Sequence, residues 1–441
     1  MFSNSIKKFG IVCCMGVLCS CSLFSDKKDL PTGKRIAIID SKYSYDNISN
    51  KSISNIPSIN TISSWTQSGA NSYHVIGNLS GNDDMKKIWS ANFGEGSDKR
   101  NLLLSQPLII DSIVYTQDVK GTVSAFDIKN GQKIWKKKIK PDNKNLAKNG
   151  LNGVGLASDT KNIFAVTGFG SVVSFDAKTG KKLWQTEINT PIRTAPSVCG
   201  DKLIVQTLDN KLFVLDTDNG SEIFKYTTPF EDTVLAGGAT PACSTEKDII
   251  VAGFSNGQIE AFKASLGYPL WSASLVNNKR GHSTTNINAI KASPVIDNDI
   301  IYAIGNNDML AAIDYNSGET VWSQEIGSVN TPYIAGDYIY ILSNNNEIIC
   351  LEKNSGKIIF NIKLLTEYDI EDRSEIYLTG PIMINNKLLV SASNGTIYVI
   401  SSVNGAVERK FDIGNDLPFS PISAQNSIIF TNSDADIIMY K

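Results

Sequence analysis

The sequence of 441 residues contains two histidines, His74 and His282, and neither stands at a metal-ligand spacing. It also lacks a glycine-rich phosphate loop, a nucleophile elbow and a carboxylate pair of recognisable spacing. The formal net charge is −2 and the basic residues form no block, which argues against nucleic acid as the main partner. The sequence therefore predicts no catalytic residue, no cofactor and no metal site.

Cysteine is scarce outside the N-terminal segment. Of the seven cysteines, Cys199, Cys243 and Cys350 follow residue 21, and each lies at or beside a strand-like apolar run. This placement favours three buried apolar cysteines, with a disulfide pair as the alternative.

The first residues have the features of an export signal. Two lysines precede the apolar run Phe9–Leu18, which is about half the length that a membrane-spanning helix needs. The run continues into Leu18-Cys19-Ser20-Cys21, which resembles a bacterial lipoprotein box. We therefore predict a signal peptide in residues 1–20 and lipidation of Cys21, with a plain cleaved signal as the alternative.

Residues 21–64 are rich in Ser, Asn, Asp, Lys and Ile and show no sustained periodicity, which predicts a flexible tether. Ser22 follows the proposed lipidated cysteine. By resemblance to lipoprotein sorting in Gram-negative bacteria, this residue implies anchoring in the outer membrane, on its periplasmic face.

A short string recurs along the rest of the chain. In "AIDYNSGETVW" an apolar run ends in Asp314, turns at Gly318 and restarts towards Trp322. The turn glycines are about 46 residues apart on average, within the range expected for one four-stranded propeller blade. They are Gly131, Gly180, Gly220, Gly267, Gly318, Gly356 and Gly405.

The two ends of the repeat array complement each other. The last repeat starts at Pro421 and contains three strand-like runs before the sequence stops, whereas a fourth run, with Trp89, precedes the first repeat. We therefore predict an all-β fold in residues 65–441. It is an eight-bladed β-propeller of four-stranded antiparallel blades, closed by an N-terminal strand.

The aromatic residue four positions after each turn glycine occupies the same place in every blade. This regularity favours packing against the neighbouring blade over contact with a quinone or a sugar. In the last complete repeat Arg409 stands at that position. His74 precedes the first blade and is expected to brace the ring.

Repeats of the form Asp-x-x-x-Gly-x-x-x-Trp are similar to the pyrroloquinoline-quinone-type propeller repeat, over residues 85–441. Two groups share it. Quinoprotein dehydrogenases bind the quinone with calcium and usually have a disulfide between adjacent cysteines. Non-enzymatic propellers include the BamB-type lipoproteins of the outer-membrane β-barrel assembly machinery. The only adjacent cysteines here are Cys13 and Cys14, inside the predicted signal peptide.

The resemblance to the BamB-type group implies a non-enzymatic scaffold that binds the barrel-assembly protein through its periplasmic domains. Nascent outer-membrane proteins are a further candidate partner. The alternatives are a quinone-dependent dehydrogenase and a scaffold of another envelope complex.

Four long connections are predicted on one face of the ring, at 140–153, 227–240, 276–291 and 364–379. By resemblance, those at 227–240 and 276–291 align with the partner contact of BamB-type proteins. The residues predicted to bind the partner are Val234, Leu235, Arg280 and His282. The alternative for Val234 and Leu235 is that they begin a buried strand.

Overall fold

The residues that the computed structural model describes lie between Ile53 and Lys441 and belong to the unit of residues 47–441. None of them forms a helix long and apolar enough to cross a membrane. The predicted signal peptide, Cys21 and most of the predicted tether lie outside them. The described residues are 53–82, 84–99, 101–141, 153–192, 194–229, 237–276, 287–307, 309–365, 376–414 and 416–441.

Eight antiparallel sheets of four strands each form a ring, as predicted. Within a blade the first strand is innermost and the fourth is outermost. Blade 1 comprises β2 (Leu108–Ile110), β3 (Ile113–Gln117), β4 (Thr122–Asp127) and β5 (Lys133–Lys138), and blade 2 comprises β6 (Gly155–Ser158), β7 (Asn162–Val166), β8 (Ser171–Asp176) and β9 (Lys182–Glu187). Blade 3 comprises β10 (Ser197–Cys199), β11 (Lys202–Gln206), β12 (Lys211–Asp216) and β13 (Glu222–Thr227), and blade 4 comprises β14 (Ala242–Ser244), β15 (Ile249–Gly253), β16 (Gln258–Lys263) and β17 (Pro269–Ser274).

Blades 5 to 7 have the same order, and blade 8 combines the two ends of the repeat array. Blade 5 comprises β18 (Val295–Asp297), β19 (Ile300–Gly305), β20 (Met309–Asp314) and β21 (Thr320–Gln324), and blade 6 comprises β22 (Tyr333–Ala335), β23 (Tyr338–Leu342), β24 (Glu347–Glu352) and β25 (Ile358–Lys363). Blade 7 comprises β26 (Leu378–Ile384), β27 (Lys387–Ala392), β28 (Thr396–Ser401) and β29 (Val407–Asp412), and blade 8 comprises β30 (Ile422–Ala424), β31 (Ser427–Thr431), β32 (Asp436–Tyr440) and β1 (Lys87–Asn92).

The N-terminal strand closes the ring. Strand β1 pairs antiparallel with β32, with Trp89 opposite Met439 and Ala91 opposite Ile437. The predicted closure is confirmed, and it removes the free edge that β32 would otherwise expose.

Adjacent blades are locked together by the repeated aromatic residue and the repeated glycine. Trp135 of blade 1 donates its indole N–H to the carbonyl of Ala177 in blade 2, at 2.8 Å. The ring lies so close to Gly180 that a Cβ there would come within 2.7 Å of it. Trp89, Trp184, Trp271 and Trp322 donate in the same way, to Ile128, Thr217, Tyr315 and Lys353. The prediction of packing between blades is confirmed.

Arg409 stands at the aromatic position of blade 7, and its neighbour is the closing blade. The third and fourth strands of that blade, β32 and β1, come from opposite ends of the array, so no continuous turn with a glycine joins them. An aromatic ring at Arg409 would lack the turn that receives it in the other blades. The guanidinium group lies 5.3 Å from the centre of the Phe411 ring instead.

Residues 53–80, here called the strap, pack against the innermost strands and the turns that follow them. Ile53 is buried, so the predicted tether ends before residue 53 and not at residue 64. The strap was missed because its polar composition and lack of periodicity resemble a linker. Hydrogen bonds connect the strap to seven of the eight blades. They join Trp65 to Ile109, Gln67 to Val198, Ser72 to Cys243, Tyr73 to Ile296, Ser54 to Tyr338, Leu79 to Met383 and Ile62 to Gln425.

The prediction of three unpaired cysteines is wrong for two of them. Cys199 in β10 and Cys243 in β14 form a disulfide that joins the innermost strands of blades 3 and 4. Their sequence separation is 44 residues, close to one repeat, so the two cysteines reach neighbouring positions in adjacent blades. Cys350 is buried as a free thiol, as predicted.

Candidate functional site

The ring has two faces that differ in their connections. Because strands alternate in direction, one face carries the turns between second and third strands and the connections to the next blade. We call this the loop face. The opposite face carries the turns between first and second and between third and fourth strands, and we call it the turn face. The strap bonds to first-to-second turns, for example at Asp337 and Gln425, so it lies at the turn face.

The four long connections all belong to the loop face, as predicted. They follow β5, β13, β17 and β25 and lead into the first strand of the next blade. The central part of each connection lies outside the described residues. This includes all four residues predicted to bind the partner: Val234, Leu235, Arg280 and His282.

A small cavity lies at the base of the connections at 227–240 and 276–291. Its volume is about 50 Å³, which suits a few water molecules or one small polar group. Five segments of the loop face line it. They are Thr194, the turn from Gln206 to Asn210, Gly237 to Ala239, Gly253 with Ser255, and Ala289 to Lys291.

Lys291 brings a positive charge to this cavity. It lies immediately before the segment that enters blade 5, and a Cβ built on Gly237 would stand 3.4 Å from its Cε. The side chain is half-buried, and burial lowers the pKa of Lys291 below its ordinary value. Loss of hydration favours the neutral amine, so a nearby negative charge would be favourable here.

Gln206, at the end of β11, contributes a buried amide to the cavity wall. Its Nε2 donates to the carbonyl of Gly253 at 2.8 Å, which links blades 3 and 4. Its Oε1 is buried and has no hydrogen-bond partner among the described residues. A buried acceptor without a donor is unfavourable, so the cavity wall is not fully satisfied by the described part of the chain.

Two threonines surround the same junction between blades. The hydroxyl of Thr194 makes contacts of 3.4–3.5 Å with Ala195, Gly238 and Thr240, all at the long end of hydrogen bonding. Nearby, Thr228 donates to the buried carboxylate of Glu260 at 3.2 Å, and burial raises the pKa of Glu260. Polar groups are therefore concentrated where blades 3 and 4 meet on the loop face.

Sequence reasoning placed function on the connections around this cavity but missed the cavity itself. Lys291 stands at the end of a predicted partner loop, a position that could have singled it out. Gln206 lies within an ordinary strand pattern and had no such signal. The cavity forms only when five segments from three blades meet.

His74 braces the ring, as predicted. It is only 3% exposed, and its Nδ1–H donates to the carbonyl of Pro294 at 2.7 Å. It lies in the strap and is not among the residues that line the cavity. Among the described residues, no group of three His, Cys, Asp or Glu side chains could hold a metal ion.

Curated relatives in several bacteria share this sequence pattern and carry the name outer membrane protein assembly factor BamB. The protein from Moranella endobia is 25% identical over 363 residues, which cover 80% of this chain and 89% of the relative. The protein from Yersinia pestis is 26% identical over 324 residues, covering 72% and 79%. The Escherichia coli protein is 23% identical over 352 residues, covering 79% and 87%. These names describe an assembly factor and no reaction.

Solved structures resemble the fold. BamB from Moraxella catarrhalis has a TM-score of 0.68 and 19% identity, covering 81% of this chain and 99% of that one. A quinohemoprotein alcohol dehydrogenase from Comamonas testosteroni has a TM-score of 0.67 and 12% identity, covering 86% and 80%. At these identities the likeness concerns the fold alone. The disulfide here joins residues 44 positions apart, unlike the adjacent-cysteine disulfide implied by resemblance to the dehydrogenases.

The family model described as outer membrane protein assembly factor BamB matches residues 86–362, which is more than half of the chain. The match spans blades 1 to 6 and includes β1, the strand that closes blade 8. With the relatives named above, it separates this chain from the dehydrogenases that share its fold. The chain belongs to the family of outer membrane protein assembly factor BamB.

Proposed function

We propose that this chain is a scaffold in the assembly of outer-membrane proteins, and that its loop face binds the periplasmic domains of the barrel-assembly protein. The observation that carries the proposal is the unequal use of the two faces. All four long connections and the cavity belong to the loop face, whereas the strap occupies the turn face. Long connections on a rigid ring are suited to recognition.

The rigidity of the ring supports this role. Blade contacts through tryptophan and glycine, the disulfide and the strap each tie neighbouring blades. A scaffold of this kind holds its connections in fixed relative positions, so little ordering of the ring is required when a partner binds.

The proposed location is the periplasmic face of the outer membrane, with the lipidated Cys21 as anchor. The Cys199–Cys243 disulfide supports a compartment outside the cytoplasm, because disulfides persist in oxidising environments such as the periplasm. The names of the curated relatives also refer to outer-membrane protein assembly.

Binding measurements with loop variants test the proposed face. The double variant Leu235→Asp/Arg280→Glu places a charge in the proposed contact and inverts another. It should lose binding to purified periplasmic domains of the barrel-assembly protein, because an unpaired charge in a contact costs roughly 2–5 kcal/mol.

Lys178→Glu is the control, since Lys178 is exposed in a turn of the opposite face. It should bind like the unmodified chain. Loss of binding in the control with retention in the double variant would show that the turn face is used. An unfolded double variant would place Leu235 in the core.

A further inference from the structure

The cavity on the loop face contains a cation that the described residues do not neutralise. Lys291 forms no ion pair with any aspartate or glutamate in that part of the chain, and burial is the cause of its lowered pKa. Its aliphatic stem lies against Gly237, where the absence of a side chain gives it room. A half-buried ammonium group that no carboxylate of the described residues neutralises is a favourable site for an anion.

Of the polar groups that line the cavity with Lys291, Thr194 can add to an anion site and Gln206 cannot, because the Oε1 of Gln206 is an acceptor that suits the ammonium group. Gln206 is 6% exposed, and its Oε1 lacks a partner among the described residues. The hydroxyl of Thr194 has only contacts of 3.4 Å or longer and can turn to donate a shorter hydrogen bond. The cavity therefore offers a cation and a hydroxyl donor within walls that are partly apolar.

The size and position of the cavity restrict what can enter it. About 50 Å³ is room for a few water molecules, and it accommodates a carboxylate group. The described ends of the two connections that we assign to the partner, at 237–239 and 289–291, line the cavity, so a protein that binds those connections would lie close to it. Ala239, Ala289 and Ile290 form apolar walls that limit water around a bound group. An acidic side chain projecting from a protein surface meets all of these conditions.

We propose that this cavity receives the carboxylate of an aspartate or glutamate side chain of the partner protein, which pairs with Lys291 and accepts a hydrogen bond from Thr194. This proposal rests on the proposed function, because it takes the barrel-assembly protein as the source of that side chain. The carboxylate would anchor the contact at the described ends of the two connections.

Calorimetric titration of the full chain with the partner's periplasmic domains tests the proposal. Lys291→Met keeps most of the side-chain length and removes the charge, and it should weaken binding at least tenfold. Lys178→Met is the matched control on the turn face and should bind within twofold of the unmodified chain. Melting temperatures of both variants should match the unmodified chain, because Lys291 lies outside the strands.

A double-mutant cycle identifies the partner residue and remains informative if Lys291→Met loses stability. Acidic residues of the partner are changed singly to their amides and tested against the unmodified chain, Lys291→Met and Lys291→Gln. One amide variant should weaken binding to the unmodified chain at least tenfold but have little further effect with either Lys291 variant.

The outcomes separate this proposal from the proposed function. Binding by Lys291→Met and Lys291→Gln within twofold of the unmodified chain, or the absence of any coupled acidic residue, would overturn the carboxylate site alone. Failure of the unmodified chain to bind the periplasmic domains would overturn the proposed function. It would also overturn the proposal that a carboxylate of the barrel-assembly protein enters the cavity.

Discussion

Trp135 in blade 1 lies directly over Gly180 in blade 2, and its indole N–H reaches the carbonyl of Ala177 in the same turn. The glycine serves two purposes there. Its φ of +65° favours a residue without a Cβ, and its position leaves room for the tryptophan ring. The recurring glycine and aromatic residue are thus one contact that is repeated around the ring.

Substitution of Gly180 by alanine should lower the free energy of unfolding by more than the strain of a positive φ at residue 180 alone would cause, because the new Cβ would also meet the Trp135 ring. Gly77 is the matched control, because its φ is +75° and a Cβ there would meet nothing within 4 Å. We expect Gly77→Ala to cost about 1–2 kcal/mol and Gly180→Ala about 2–4 kcal/mol. Urea denaturation measures both. Equal costs would show that the Trp135 contact adds no constraint.

Much of the fold could be predicted from the sequence because this contact recurs. Each blade repeats the same turn and the same aromatic residue, so the number of blades and the closure by β1 follow from counting. Even the departure at Arg409 has a structural reason, since the closing blade lacks the receiving turn.

The strap and the disulfide could not be predicted in the same way. The strap bonds to strands far away in sequence, such as Leu79 to Met383, and contains no repeat of its own. Cys199 and Cys243 are about one repeat apart, but their pairing depends on the approach of two inner strands. The cavity around Lys291 requires five segments to meet, which no local pattern encodes.

Removal of the disulfide should lower the free energy of unfolding without changing the fold. The bridge closes a loop across two blades, and its loss in Cys199→Ala/Cys243→Ala should cost about 2–4 kcal/mol. Chemical denaturation of the unmodified chain in dithiothreitol should reproduce this loss. The double variant itself should be insensitive to the reductant. A reductant effect of equal size in the double variant would mean that the bridge is not its cause.

The strap should make stability sensitive to mild acid through His74. Burial lowers the pKa of His74 from 6.5 to about 4, and its Nε2 has no partner among the described residues. Between these two values the unfolded chain binds a proton that the folded chain does not, so stability falls as the pH falls. The contribution of neutral His74 to the free energy of unfolding is complete above about pH 6.5, and about 3 kcal/mol of it is lost by pH 4.

Denaturation at several pH values between 7.5 and 4.5 measures this dependence. His74→Asn should flatten it, and asparagine suits the positive φ of 61° at this position. The variant will be less stable at neutral pH because the packing of the imidazole is lost. A slope unchanged by His74→Asn would assign the acid sensitivity to other groups.

Cys21→Ser should abolish membrane attachment, because the predicted lipid is the only anchor that the sequence indicates. The variant should appear in the soluble periplasmic fraction after osmotic release, while the unmodified chain sediments with membranes. Ser22→Ala is a suitable control, since it leaves the cysteine in place. A Cys21→Ser variant that still sediments with membranes in high salt after its signal peptide is cleaved would contradict lipidation as the mode of attachment.

Site-specific photo-crosslinking in cells tests most directly which face binds the partner. A photoreactive amino acid is placed at Asn256, in a second-to-third turn on the loop face, or at Lys178 on the turn face. Asn256 lies next to Ser255 in the cavity wall. The account predicts a crosslink from Asn256 to the barrel-assembly protein and none from Lys178. A crosslink to that protein from Lys178 alone would contradict the account.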